Sequence, residues 1–218
     1  MKKTKQLILF GDSAFAEVAY CYFQEQSEFE VVGFTVSRDF KQRNTLFGLP
    51  IVDFETVEKQ FPPGKHQMFI ALVYNEMNKI RKDFYQSALG KGYTLASFVS
   101  PYAQVWKNVT LGNNTFIFEN NVVQPFARIG SNTILWSGNH IGHHSQVGDH
   151  NFLASQVVVS GFVTIEESCF IGVNATLVNN ITIGSNSFIG AGALVTSSLP
   201  AGSVVKGNSS TPKKREAA

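Results

Sequence analysis

Four of the five histidines of this chain lie within eleven residues, in His140-Ile141-Gly142-His143-His144-Ser145-Gln146-Val147-Gly148-Asp149-His150. Imidazole is the side chain whose ordinary pKa falls between about 5 and 8, so such a cluster can bind a metal or move a proton. Metal binding fits less well, because beyond Asp149 no carboxylate or cysteine joins the cluster at a useful spacing. An ordinary polar corner accounts for one histidine and strains to account for two adjacent ones beside a third. General-base catalysis accounts for them: a neutral imidazole takes a proton from an amine or hydroxyl as it attacks. No metal is expected.

The cluster sits inside a repeat. From Val105, steps of six land on Leu111, Ile117, Val123, Ile129, Leu135, Ile141, Val147, Leu153, Val159, Ile165, Ile171, Leu177, Ile183, Ile189 and Val195 without a slip. Gly follows the aliphatic residue at 112, 130, 142, 148, 172, 184 and 190. A period of six fits neither the helical repeat of about 3.6 residues nor simple strand alternation. It fits a short strand and a tight turn, with Gly taking the positive φ at the corner. Three units close a coil of eighteen residues, and the aliphatic side chains stack inside it. Residues 101–206 are therefore predicted to form a parallel β-helix.

In this register His140 precedes an inward residue and projects from a flat face. His143 and His144 reach outside a corner. One coil above His143 stands Gly161, whose uncovered N–H suits an oxyanion beside the base; the plainer reading is that Gly161 only makes its turn. Phe116, Phe118, Trp136, Phe152 and Phe170 are read as outward and apolar, too many to leave in water, so a homotrimer is expected.

Residues 1–100 carry a different pattern. Gln6–Phe10, Glu30–Val36 and Gln67–Val73 read as strands and Tyr93–Val99 as a last short one. Helices are predicted over Glu17–Gln26 and Asn78–Lys91. The alternation implies a small parallel α/β unit, Rossmann-like in outline. The turn Gly11-Asp12-Ser13-Ala14-Phe15-Ala16 keeps only the first glycine of a dinucleotide fingerprint, which, with the short domain, argues against a full NAD site. A phosphate cradle at a helix N-terminus and a simple strand–helix turn are both open readings.

Composition narrows the class. Eighteen Lys and Arg against 16 Asp and Glu leave a net charge of +2, unlike the basic stripe of a nucleic-acid binder. The basic run Lys213-Lys214-Arg215 reads as part of a solvated tail, 207–218. Hydrophobic residues at 44% and charged residues at 16% argue for a packed core rather than disorder. No apolar run reaches the roughly 18–20 residues of a membrane helix, so no membrane insertion is expected. The basic start is followed only by Leu7-Ile8-Leu9-Phe10 before Gly11-Asp12, too short for a secretory signal. Two cysteines, Cys21 and Cys169, fit a reducing, cytoplasmic setting.

The six-residue register over roughly Pro101–Pro212 resembles the hexapeptide-repeat, left-handed β-helix acyltransferases. With the Rossmann-like first domain, the whole is similar to the nucleotide-sugar acetyltransferases of the sialic-acid and bacillosamine type, which modify bacterial surface sugars. The resemblance implies transfer of acetyl from acetyl-CoA to the amine of a nucleotide-linked amino sugar, in surface-glycan or lipopolysaccharide biosynthesis. Acetylation of a sugar hydroxyl, or a non-catalytic scaffold that binds nucleotide sugar, are the alternatives. It makes His143 the base, with His144 standing where the family commonly has an acid; the orienting role could pass to a backbone carbonyl, to Asp149, or to an acid of a neighbouring subunit. His140-Ile141-Gly142-His143 also resembles the paired histidines of lipid A acyltransferases, which implies a substrate contact for His140. Gly11, Asp12 and Ser13 would contact the diphosphate or the uracil side, Thr35 and Ser37 the base or ribose, and Tyr74 and Asn75 would line the same crevice. Acetyl-CoA would lie in a groove between neighbouring β-helices, along Phe152, Gly172, Val173, Gly190 and Ala191. Lys206 is read either as a partner of a CoA phosphate or as a solvated tail residue.

Overall fold

The computed structural model of the protein describes residues 2–207, so the expected tail lies outside it except for Gly207. The first part is a five-stranded sheet of β1 (Lys5–Phe10), β2 (Phe29–Val36), β3 (Thr45–Leu46), β4 (Leu49–Asp53) and β5 (His66–Ile70). Their order is β3-β4-β2-β1-β5, parallel throughout except for the β3–β4 hairpin. That hairpin is absent from the sequence reading. Phe47 and Gly48, both at positive φ, make its two-residue turn.

Three helices complete this part: α1 (Ala14–Gln26), α2 (Val57–Gln60) and α3 (Lys79–Gly90). Strand alternation assigns the two faces of the sheet. Leu7, Leu9, Phe69 and Ala71 share a core with Phe15, Ala19 and Phe23 of α1. Ile8, Phe10, Met68 and Ile70 share another with Tyr85 and Ala88 of α3. The expected last strand is split: Leu95 only bridges Met68, and Phe98–Val99 pairs with Phe116–Ile117 as the first rung of the second part.

That second part is a left-handed β-helix of two-residue strands stacked in three parallel sheets. The first face runs from Gln104–Val105 through His140–Ile141 to Leu194–Val195, and the second from Thr110–Leu111 to Thr182–Ile183. The third runs from Phe98–Val99 through Phe152–Leu153 to Val204–Val205. Every member of the six-step series from Ile117 to Val195 is buried in one continuous core. Each such side chain contributes about 1.5–3 kcal/mol of burial.

The corners are not turned by the glycines that suggested them. Positive φ falls two residues further on, at Asn114, Asn120, Phe126, Asn132, Gly138, His144 and His150 and onward at every sixth residue. The glycine after each aliphatic residue serves coil-to-coil approach instead. A Cβ on Gly142 would stand 2.5 Å from the Ser160 carbonyl carbon and 2.6 Å from Gly161 N.

The two parts are joined along the third face. Phe15 and Tyr22 of α1 pack on Phe116 and Phe118, Phe23 on Phe116, and Phe15 on Trp136. Tyr74 packs on Phe152 and Phe170. From Asn78, which precedes α3, Nδ2 donates to Cys169 O; from α3 itself, Arg81 Nη2 donates to His150 O and Asn151 O, and Tyr85 Oη donates to Asn113 Oδ1. Phe116, Phe118 and Phe152 are thus buried within one chain, with Trp136 and Phe170 packed on the same core. The apolar stripe read as a reason for trimerisation is covered by the chain's own first domain.

Candidate active site

His143 and His144 lie on the corner between the first and second faces, and both are exposed. Their Nδ1 atoms are 3.2 Å apart, so one ring donates and the other accepts. The His143 backbone N–H donates to Gln124 Oε1 at 2.9 Å. The other edge of the His143 ring lies over Gly161: a Cβ built there would stand 2.8 Å from Cε1 and 2.9 Å from Nε2. Gly161 accepts the Asn180 N–H at 3.2 Å, and its own N–H meets no acceptor among the described residues. The expected juxtaposition of His143, His144 and Gly161 is therefore present. An exposed imidazole with one nitrogen engaged and the other at the surface can take up a proton.

Two residues absent from the sequence reading complete this corner. The His144 ring is sandwiched between Phe126 (centroids 4.7 Å apart, planes at 28°) and Phe162 (4.9 Å, 16°). The coil period could have found them, since they stand eighteen residues before and after His144.

The remaining histidines are dispersed by the winding of the chain. His140 projects, half-buried, from the first face, paired with Val122 and Val158. His150 lies on the corner between the second and third faces, buried against Tyr85. Its Nδ1 accepts from Asn132 Nδ2 at 2.9 Å. Burial first, then the nearby Lys82 cation, pushes its pKa down to about 4, so it is neutral at pH 7. Asp149 accepts the Ser131 N–H at 2.6 Å on that same corner. It does not orient His143, whose ring partner is His144.

The sheet of the first part has its own cleft, at the carboxyl ends of the strands. About 270 Å³ is enclosed by residues that include Gly11, Asp12, Ser13, Ser37, Phe40 and Asn75. This is where parallel α/β sheets take ligands. Gly11 has φ +121°, and a Cβ there would stand 2.9 Å from Ala71 O, so only glycine fits this turn. The N-terminus of α1 opens into the same cleft, and the Ser13 side chain does not cap it. Arg43, not anticipated from sequence, ties Asp12 to Glu17 beside it.

Two expected cleft residues are elsewhere. Thr35 is fully buried and its Oγ1 donates to Val52 O. Tyr74 rests on Phe152 and Phe170, against the β-helix. Both follow from strand geometry: Thr35 is still inside β2, whereas the chain has left the sheet at Ile70, four residues before Tyr74.

The residues expected along acetyl-CoA divide likewise. Val173 and Ala191 are exposed on the corner between the third and first faces, with Gly172 and Gly190 beneath the coil above. Backbone atoms of Lys206 and Gly207 adjoin Gly190 there, and Lys206 is exposed. Phe152 is not on that corner; it is 5% exposed beneath Tyr74, so an open groove along it is ruled out within the chain. This corner and the histidine corner flank the first face from opposite sides.

Residues 126–161 and 162–197 each match the family model described as bacterial transferase hexapeptide (six repeats). No curated protein matches the chain in sequence. Among solved structures it is similar to perosamine N-acetyltransferase of Caulobacter crescentus, with TM-score 0.81 and 22% identity over 91% of this chain and 92% of that one. It is similar to the acetyltransferase domain of PglB of Neisseria gonorrhoeae, with TM-score 0.83 and 21% identity over 96% and 100%. WeeI of Acinetobacter baumannii matches with TM-score 0.79 and 21% identity over 94% and 97%. These likenesses are of fold, and they span both parts of the chain. The unbroken six-residue series and the three-faced coil agree with the two matched blocks: residues 126–197 carry bacterial transferase hexapeptide repeats, within a left-handed β-helix that follows an α/β domain.

Proposed function

We propose that the protein transfers an acetyl group from acetyl-CoA to the amine of a nucleotide-linked amino sugar. The observation that carries this reading is the exposed His143 ring, tied at Nδ1 to His144 and lying over Gly161. The fold supports it: the similar perosamine N-acetyltransferase has been solved with CoA and GDP-perosamine, and the PglB domain with acetyl-CoA. His143 Nε2 takes a proton from the amine as the nitrogen attacks the thioester carbonyl. The Gly161 N–H donates to the oxyanion, a contact of a kind worth about 3–4 kcal/mol elsewhere. Collapse breaks the C–S bond, and the thiolate recovers the proton from His143 to leave as CoA thiol.

In this reading residues 1–100 hold the nucleotide, at Gly11, Asp12, Ser13, Ser37 and Asn75, and 101–206 hold the co-substrate. Val173, Ala191 and Lys206 would line the CoA groove. They are separated from His143 by the width of the first face, so a groove uniting them has to form between two copies. A homotrimer supplies such a groove, and light scattering at micromolar concentration giving the 24.0 kDa of one chain would reject it. Among the described residues no helix is long and apolar enough to cross a membrane, in keeping with a cytoplasmic step of bacterial surface-glycan or lipopolysaccharide assembly. The decisive measurement is thiol release from acetyl-CoA with UDP-, GDP- and dTDP-linked amino sugars. Turnover with hydroxyl-only analogues would mean O-acetylation, and binding without turnover a scaffold.

A further inference from the structure

At the corner positions with positive φ, the chain uses Asn six times: Asn114, Asn120, Asn132, Asn174, Asn180 and Asn186. Asn tolerates this conformation, and bulky residues do not. Yet at three successive rungs of the histidine corner the positions are Phe126 (φ +66°), His144 (φ +59°) and Phe162 (φ +58°). The two phenylalanines stay 57% and 52% exposed, so core burial does not explain them. A backbone strain repeated where it gains no burial points to a positional role. What the rings do is visible: they hold the His144 imidazole between two faces.

We propose that Phe126 and Phe162 are positioning residues that clamp His144 so that its Nδ1 accepts from His143 Nδ1–H, leaving His143 Nε2 unprotonated over Gly161. A lone exposed imidazole rotates freely and exchanges tautomers, which would leave the base proton-bearing at Nε2 part of the time. Two stacked faces restrict rotation about the His144 side chain and keep Nδ1 at 3.2 Å from its partner. Phe162 also meets the His143 ring edge-on, centroids 5.0 Å apart and planes at 87°, so one phenyl braces both imidazoles. The aromatic clamp thus does the orienting work that an acid beside the base would otherwise do. The inference rests on the reading of His143 as the base, but its observable is independent of turnover.

The test is nitrogen NMR of histidine-labelled protein, in which two-bond proton–nitrogen correlations report the tautomer of each ring. The wild type should give His143 protonated at Nδ1 and bare at Nε2. Phe126→Asn with Phe162→Asn places at both positions the residue the chain itself uses at this φ, so the fold is retained. The double variant should turn His143 into a tautomer mixture, and Phe162→Tyr alone should preserve the single form. In kinetics the double variant should lower kcat by about tenfold or more with an unchanged KM for acetyl-CoA. A wild-type His143 bare at Nδ1, or a tautomer unaltered in the double variant, overturns the proposal. If the tautomer responds but no acetyl transfer is found with any amino sugar, the clamp stands and the acetyltransferase reading falls. If transfer is found and the tautomer does not respond, the reverse holds.

Discussion

Two corners of the same β-helix carry a histidine at the same backbone position and in the same left-handed conformation, His144 and His150. Around His144 the stack is Phe126–His144–Phe162, open to solvent. Around His150 it is a buried polar ladder. Asn114 Oδ1 accepts the Ile70 N–H, Asn114 Nδ2 donates to Asn132 Oδ1, and Asn132 Nδ2 donates to His150 Nδ1. Chain geometry treats the two positions alike. Their chemistry differs because α3 and β5 cover one corner and leave the other bare. Covered, the imidazole is held neutral and serves as an acceptor in a joint between domains; bare, it stays open to solvent.

The contrast can be broken by substitution, beginning with the open corner. His143→Ala should lower kcat by about 10²–10⁴-fold with CoA affinity nearly unchanged, because a positioned general base contributes that much. His144→Ala should cost less and His144→Asp should be tolerated. If steady-state rates rank His144→Ala below His143→Ala, with both folded by circular dichroism, the base is His144. Gly161→Ala comes next. Its Cβ would press on the His143 ring edge, and a displacement of that size costs about 10²-fold in rate. A crystal structure of that variant with the ring unmoved would reject the cause.

The covered corner should respond in stability. Asn132→Ala orphans Asn114 Nδ2 and His150 Nδ1 in a buried setting, which costs about 1–3 kcal/mol for each group left unpaired. Urea unfolding should register this while acetyl transfer at saturating substrate stays near wild type.

The smallest effect expected is a slope with pH. The folded pKa of His150 lies below its ordinary value of 6.5, at about 4. Between those values the unfolded chain takes up a proton that the folded chain resists. The contribution of neutral His150 is therefore complete above pH 6.5 and is lost as pH falls from 6.5 toward 4. Melting temperatures of His150→Asn across that window should fall less steeply than those of the wild type. An equal slope would mean that other groups dominate acid unfolding.

Much of the architecture was legible because it is local. A six-residue aliphatic period over a hundred residues admits one kind of coil, and counting by eighteen sets His143 beneath Gly161 without any tertiary information. The hairpin Thr45–Leu46/Leu49–Asp53 was missed because strands so short carry no alternation to read. The corner glycines were misassigned because sequence cannot distinguish a glycine that turns the chain from one that admits the next coil.

What sequence could not decide is which faces stay open. The third face is covered by contacts such as Ile70 N–H to Asn114 Oδ1 and Arg81 to His150 O, made between residues far apart in the chain. Those contacts bury Phe152 and His150, draw Tyr74 out of the cleft, and cover the aromatic stripe that pointed to a trimer. Periodicity follows from backbone geometry that each residue shares with its neighbours. Exposure follows from docking between distant segments, and it is exposure that separates His143 and His144 from the buried His150.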